Sequence, residues 1–189
     1  MKDYVRLGSV LFIISAVACA VLAFVNHITE PMISNNQSLA EQTARQEVLP
    51  KAVRFESVEG EVPYFIGVDE ESNIVGYTFI AEKTGYSGPI QTMVGVDPEF
   101  KITQIKVISQ TETPGLGAKA TESEFSDQFK GKRQEELLVQ KDGGEIISIT
   151  GATITSRAVT QSLKEVIKSV SEKVNAPKDV TAVEAEEVE

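Results

Sequence analysis

Four hydroxyl side chains crowd one short turn. Thr150-Gly151-Ala152-Thr153-Ile154-Thr155-Ser156 follows the apolar stretch EIISI (145–149) and opens a run with helical periodicity. A strand, a tight turn at Gly151 and a helix start would aim free backbone N–H groups and the positive end of the helix dipole at one point, which favours an anion. Threonine and serine are also ordinary helix caps. On spacing alone a plain cap is the stronger reading, because short phosphate-loop patterns recur by chance. A second segment, Glu112-Thr113-Pro114-Gly115-Leu116-Gly117, follows a predicted strand. Pro114-Gly115 marks a turn, and its two glycines let backbone approach a ligand closely. Alone, it reads as a surface loop between strand and helix. The third, Gly85-Tyr86-Ser87-Gly88-Pro89-Ile90, offers an aromatic ring to a planar ligand. A tyrosine at the base of a hairpin is more commonly structural.

Counting removes most other chemistry. The 189 residues contain one cysteine and one histidine, so neither an internal disulfide nor a His/Cys metal cluster can form. A Ser-His-Asp or Cys-His enzyme would have to use His27, just beyond an apolar run. With 18 Lys+Arg against 28 Asp+Glu the formal charge is −10. That surface repels nucleic acid, whose recognition rests on neutralising phosphates.

The elements that must position these segments fall into an anchor and one domain. Leu7–Val25 is 19 residues without a charge. As a helix rising ~1.5 Å per residue it spans about 28 Å, close to the ~30 Å hydrocarbon core. A cleaved signal peptide would have a shorter apolar run with small residues at its end. Here Ala16, Ala18 and Ala20 lie inside the run, and the residues around Cys19 do not form a lipoprotein site. Lys2 and Arg6 precede the span and no basic residue follows it until Arg45, which predicts a cytoplasmic N-terminus and an extracytoplasmic domain. The span has no ionisable side chain and offers no ion path of its own.

The expected organisation is a cytoplasmic N-terminus (1–6), a transmembrane helix (7–25), a juxtamembrane linker (26–37) limited by Pro31, a domain (38–176) and an acidic disordered tail (177–189). Within the domain, a helix over 38–49 ends before Pro50. Strands at 63–69 and 74–83 form one hairpin and those at 90–97 and 101–110 another. A short helix over 122–130, a strand over 145–149 and a last helix over 155–173 complete an α+β fold. Val159, Leu163, Val166, Ile167 and Val170 mark the core face of that last helix.

Taken together, GYSGPI (85–90), ETPGLG (112–117) and TGATITS (150–156), behind an N-terminal anchor, closely resemble the G subunit of the Rnf complex, a membrane-bound ion-translocating ferredoxin:NAD oxidoreductase. That family is related to the C subunit of the sodium-pumping NADH:quinone reductase. The resemblance covers the chain from anchor to last helix. It implies FMN joined by a phosphoester to Thr153, the last threonine of TGAT, through a separate flavin transferase with FAD as donor. It further implies cofactor contacts from Thr150, Gly151, Ala152, Thr155 and Ser156, from Glu112, Thr113, Pro114, Gly115, Leu116 and Gly117, and from Tyr86. The implied partners are the A, D and E membrane proteins of the Rnf complex and, indirectly, its B and C proteins, with no nucleic acid. No catalytic residue and no metal is implied, since the flavin carries the redox chemistry. The family often has an aspartate three residues before TGAT, within the transferase's recognition pattern; Ile147 stands there, with Asp142 and Glu145 the nearest upstream acids. The alternatives are the equivalent member of the quinone reductase, a tethered flavin domain serving a soluble reductase, and a non-redox anchored binding domain.

Overall fold

A computed structural model describes residues 2–60 and 62–175. The tail expected over 177–189 lies outside the described residues. The chain divides into two units between Thr43 and Ala44.

Helix α1 runs unbroken over Lys2–Val48 with Pro31 inside it. The linker expected over 26–37 is therefore helical. Proline removes one hydrogen bond and crowds the carbonyl four residues earlier, but the turns on either side are helix-forming and carry the helix past it. Leu11, Phe12, Ile13 and Ile14 are consecutive, so they point to all sides of the helix, and all are exposed. A helix apolar all round matches a bilayer and not an aqueous surface. The helix is long and apolar enough to cross a membrane.

In the second unit, five strands form an antiparallel meander in chain order: β1 (Arg54–Val58), β2 (Tyr64–Val68), β3 (Ile74–Thr84), β4 (Pro89–Val96) and β5 (Ile102–Ser109). Both expected hairpins are present, and the turn after Thr84 joins them into one sheet. Strand β1 is not among the expected strands. Its sequence, RFESV, is mostly polar because it is an edge strand open to water. Alternation along the strands sorts the two faces. Tyr77, Phe79, Ala81, Val94 and Val96 join Val159, Leu163, Ile167 and Val170 of helix α3 (Thr153–Asn175) in the main core. On the opposite face, Met93 packs with Ala44 and Val48 from the last turn of α1.

That last turn lies close against the sheet. Thr103 Oγ1 donates to the Val48 carbonyl at 2.5 Å, satisfying an acceptor that the helix end leaves without an intrahelical partner. Thr103→Val keeps the shape and deletes the donor, so unfolding should become easier by about 1 kcal/mol. A denaturation midpoint unchanged within error would show that the bond contributes nothing.

Between β5 and α3 the chain is mostly short turns. The helix expected over 122–130 appears as a one-turn α2 (Ser123–Ser126) between 3₁₀ turns at Gly117–Thr121 and Asp127–Phe129. The strand expected over 145–149 does not form; the segment makes a single parallel bridge, Val139↔Ile146. Its backbone is satisfied elsewhere. The Ile147 N–H donates to Gln128 Oε1 at 2.7 Å and the Ile149 N–H to Ser156 Oγ at 2.9 Å. Side chains thus take the ladder's place.

Candidate functional site

The meander explains why three separated segments meet. GYSG (85–88) is the turn between β3 and β4, closed by the Gly85 N–H donating to the Gly88 carbonyl at 2.8 Å. Ser109, the end of β5, pairs with Gln91 at the start of β4, so residues 110–117 leave the sheet beside that turn. Helix α3 packs across β3 and β4 and brings its first turn to the same place.

Between them lies a cavity of about 550 Å³, within the usual range for small-molecule sites. Tyr86, Glu112, Thr113, Leu116, Gly117 and the stretch Gly151–Thr155 line it. Four of the expected residues, Pro114, Gly115, Thr150 and Ser156, are not among those lining it. Pro114 and Gly115 form the turn that the Leu116 N–H closes onto the Thr113 carbonyl, with Gly115 at φ +77°. Thr150 is exposed and lines a neighbouring cleft of about 220 Å³. Ser156 is fully buried, accepting from Ile149 and donating to the Ala152 carbonyl at 3.0 Å.

The helix starts at Thr153, two residues earlier than expected. The TGAT threonine therefore sits at the first helical position, beside N–H groups that have no intrahelical partner. Gly151, at φ +79°, supplies the left-handed residue that makes the turn. A Cβ there would come to 3.0 Å from Leu116 Cδ2, which shows how closely the two loops approach.

Lys141 is a wall residue that motif reading misses. Its Nζ donates to Thr153 Oγ1 at 2.8 Å. The 3₁₀ turn carrying it, Gln140–Asp142, is tied to α3 by Asp142, which accepts from Arg157 Nε at 2.7 Å and also from Nη2. Arg157 follows Thr153 by one helical turn, so ion pair and ammonium share one helix face. Arg157 draws the Asp142 carboxyl below its usual range. No spacing rule links a lysine to a threonine twelve residues on, so only the fold reveals the contact.

Glu112 ties the three segments together. It is 6% exposed; Thr155 Oγ1 donates to its Oε2 at 2.6 Å and the Ser87 N–H to its Oε1 at 2.9 Å. Burial pushes its carboxyl up. Donation from Thr155 and from the backbones of Ser87, Tyr86 and Gly88 outweighs this and leaves the group below its usual range. Because the folded state holds this proton less tightly than the unfolded chain, the stabilisation is complete above an ordinary carboxylate pKa of about 4.3. It is lost as pH falls through the lowered folded value. In an acid denaturation series the native protein should lose stability more steeply than Glu112→Gln. Parallel curves would show that Glu112 titrates alike in both states.

At Ile147 the side chain is 62% exposed, while Gln128 holds its backbone through both N–H and carbonyl. The nearest upstream acids are already engaged, Asp142 with Arg157 and Glu145 with Lys132. Glu122 and Glu124 line the same small cleft as Ile147.

The FMN-binding domain family matches residues 85–168, a span that begins at GYSG and takes in the whole cavity. The chain is 41% identical to the G subunit of the Na(+)-translocating ferredoxin:NAD(+) oxidoreductase complex of Acetobacterium woodii, over 86% of this chain and 89% of that one. It is 36% identical to the G subunit of the ion-translocating oxidoreductase complex of Methanosarcina acetivorans, over 90% and 96%. In fold it matches the crystal structure of the C subunit of the Na(+)-translocating NADH-quinone reductase from Parabacteroides distasonis, with a TM-score of 0.59, 21% identity and coverage of 76% of this chain and 96% of that one. With residues of all three motifs lining one cavity and its likeness running nearly end to end, the chain belongs to the family of Rnf-type ion-translocating oxidoreductase G subunits.

Proposed function

We propose that this chain is the membrane-anchored electron-transfer component of an ion-translocating ferredoxin:NAD oxidoreductase, with FMN joined by a phosphoester to Thr153 Oγ1. One observation carries the reading. Of the four hydroxyls in TGATITS, only that of Thr153 both lines the cavity and accepts from a cation, Lys141. Thr155 and Ser156 are fully buried with their hydroxyls committed, and Thr150 faces another cleft.

The residues fit the group. A phosphate at Thr153 meets the Lys141 ammonium and the unpaired N–H groups of the first turn of α3, where the helix dipole favours negative charge. Leu116 and Ile154, both exposed, supply apolar surface and the Tyr86 ring a flat face for a planar ring system. When bound, FMN takes up electrons and passes them on. The protein holds, orients and shields it. This work needs no general acid or base, which accords with a chain whose one histidine lies within α1.

The uncharged span supports an anchor that leaves ion movement to its partners, the A, D and E membrane proteins of the complex with the B and C proteins behind them. Lys2 and Arg6 support a cytoplasmic N-terminus with the FMN domain outside. A flavin lost on that side would be hard to replace, and covalent attachment by a separate transferase suits the location. The test is flavin fluorescence on the denatured gel band of protein from its native membrane, followed by fragmentation of the tryptic peptide Asp142–Arg157. The expected result is a fluorescent band with the adduct on Thr153. A dark band, or an adduct on Thr150, Thr155 or Ser156, overturns the assignment.

A further inference from the structure

The cavity wall carries a fixed negative charge that the attachment chemistry does not use. We infer that Glu112, locked against Thr155 and the GYSG turn, sets the redox poise of the bound ring by disfavouring its reduced form. The inference rests on the FMN reading above.

The construction around this carboxylate is specific. A Cβ on Gly117 would lie 2.4 Å from Glu112 Oε2, and one on Gly85 would lie 2.6 Å from Oε1. Any side chain at either position would displace the carboxylate. Glycine at both leaves room for it, and each oxygen then receives a donor from a different segment, Thr155 Oγ1 on one side and the Ser87 N–H on the other. A loop needing only shape would fill this space with an apolar side chain, since a buried charge carries a desolvation cost. Here the donors that surround Glu112 are neutral and the nearest partners bring no formal charge to cancel it. The carboxylate stays ionised at neutral pH, as its lowered pKa shows.

The consequence follows from Coulomb's law, because the charge on the wall is itself buried and only partly screened by water. Electrons entering a ring in this cavity add negative charge next to a wall that already carries one. The reduced form is penalised more than the oxidised form, so the midpoint potential falls. The cation of the site, Lys141, bonds to Thr153 and faces the phosphate end. The cavity is thus polarised, with positive charge at the attachment point and negative charge on the Glu112 wall.

The experiment is a spectroelectrochemical titration of the full-length, flavin-loaded protein, wild type beside Glu112→Gln and Glu112→Asp, with flavin content read first from gel fluorescence. Glutamine removes the charge and keeps the shape; aspartate keeps the charge. The expected result is a positive shift of the midpoint potential in Glu112→Gln, with Glu112→Asp remaining near wild type. Equal shifts in both variants would reveal a packing effect, and no shift in either would show a screened charge; both overturn the inference. Loss of flavin from Glu112→Gln alone also overturns it, making Glu112 an assembly residue. Wild type without flavin would instead remove the FMN reading on which this rests.

Discussion

Thr153→Val is expected to reduce flavin fluorescence of the denatured protein to background, while Thr150→Val leaves it at the wild-type level. Valine matches threonine in shape, and Thr153 is a part-exposed residue in the first turn of α3. The substitution removes one hydrogen bond, from Lys141, a change of about 1 kcal/mol. The fold survives that loss, whereas the attachment oxygen is gone. Thr150 is only three residues away and more exposed, so accessibility alone would make it the better acceptor. It differs in lining the small cleft beside Ile147 and not the cavity that holds Lys141. The pair of variants therefore separates a site chosen by the cavity from one chosen by exposure. Residual fluorescence on Thr153→Val, or its loss from Thr150→Val, would refute this geometry.

What is legible in the chain is local. Gly151 and Pro114-Gly115 announce turns through their own backbone preferences, and α3 shows its core face through Val159, Leu163, Ile167 and Val170. The hairpins follow from alternation, which is also local. What escapes depends on partners distant in sequence. Lys141 is a site residue only because Asp142 is paired with Arg157. EIISI looks like a strand because Ile146 is a core residue, but the sheet is complete without it and Gln128 takes its backbone. Strand β1 is hidden for the opposite reason, its polar residues being correct for an edge. Glu112 is named by its motif, but its burial is set by two glycines, one of them twenty-seven positions earlier, which the motif does not show. Motif reading thus locates the site and its acid but not Lys141.

The same blindness applies to the glycines of the sheet, and one of them supports the largest expected loss of stability. Gly67 and Gly76 face each other across β2 and β3, and Gly95 lies on β4. On these three the last residue of α1, Val48, and the turn after it, Leu49 to Ala52, come down. Added Cβ atoms at Gly67 and Gly95 would meet Leu49 Cδ2 at 2.5 Å and the Val48 carbonyl oxygen at 2.4 Å. Gly76 is the most constrained. Its φ is +155°, and a Cβ there would come to 2.1 Å from the Val96 carbonyl oxygen, a backbone atom of the paired strand. A flexible side chain could turn aside; a strand carbonyl cannot move without breaking the ladder. Gly76→Ala adds backbone strain of about 1–3 kcal/mol to an overpacking cost of similar size, about 1–3 kcal/mol. On a domain of this size the melting temperature should fall by on the order of 10 °C. Gly115→Ala provides the comparison, because Gly115 also has positive φ but nothing within 4 Å of its Cβ position. It should lose only the conformational term, about 1–2 kcal/mol. Thermal unfolding of both full-length variants in detergent, followed by circular dichroism, measures the difference. If Gly76→Ala melts no lower than Gly115→Ala, the close approach of the Val96 carbonyl is not what requires glycine at that position.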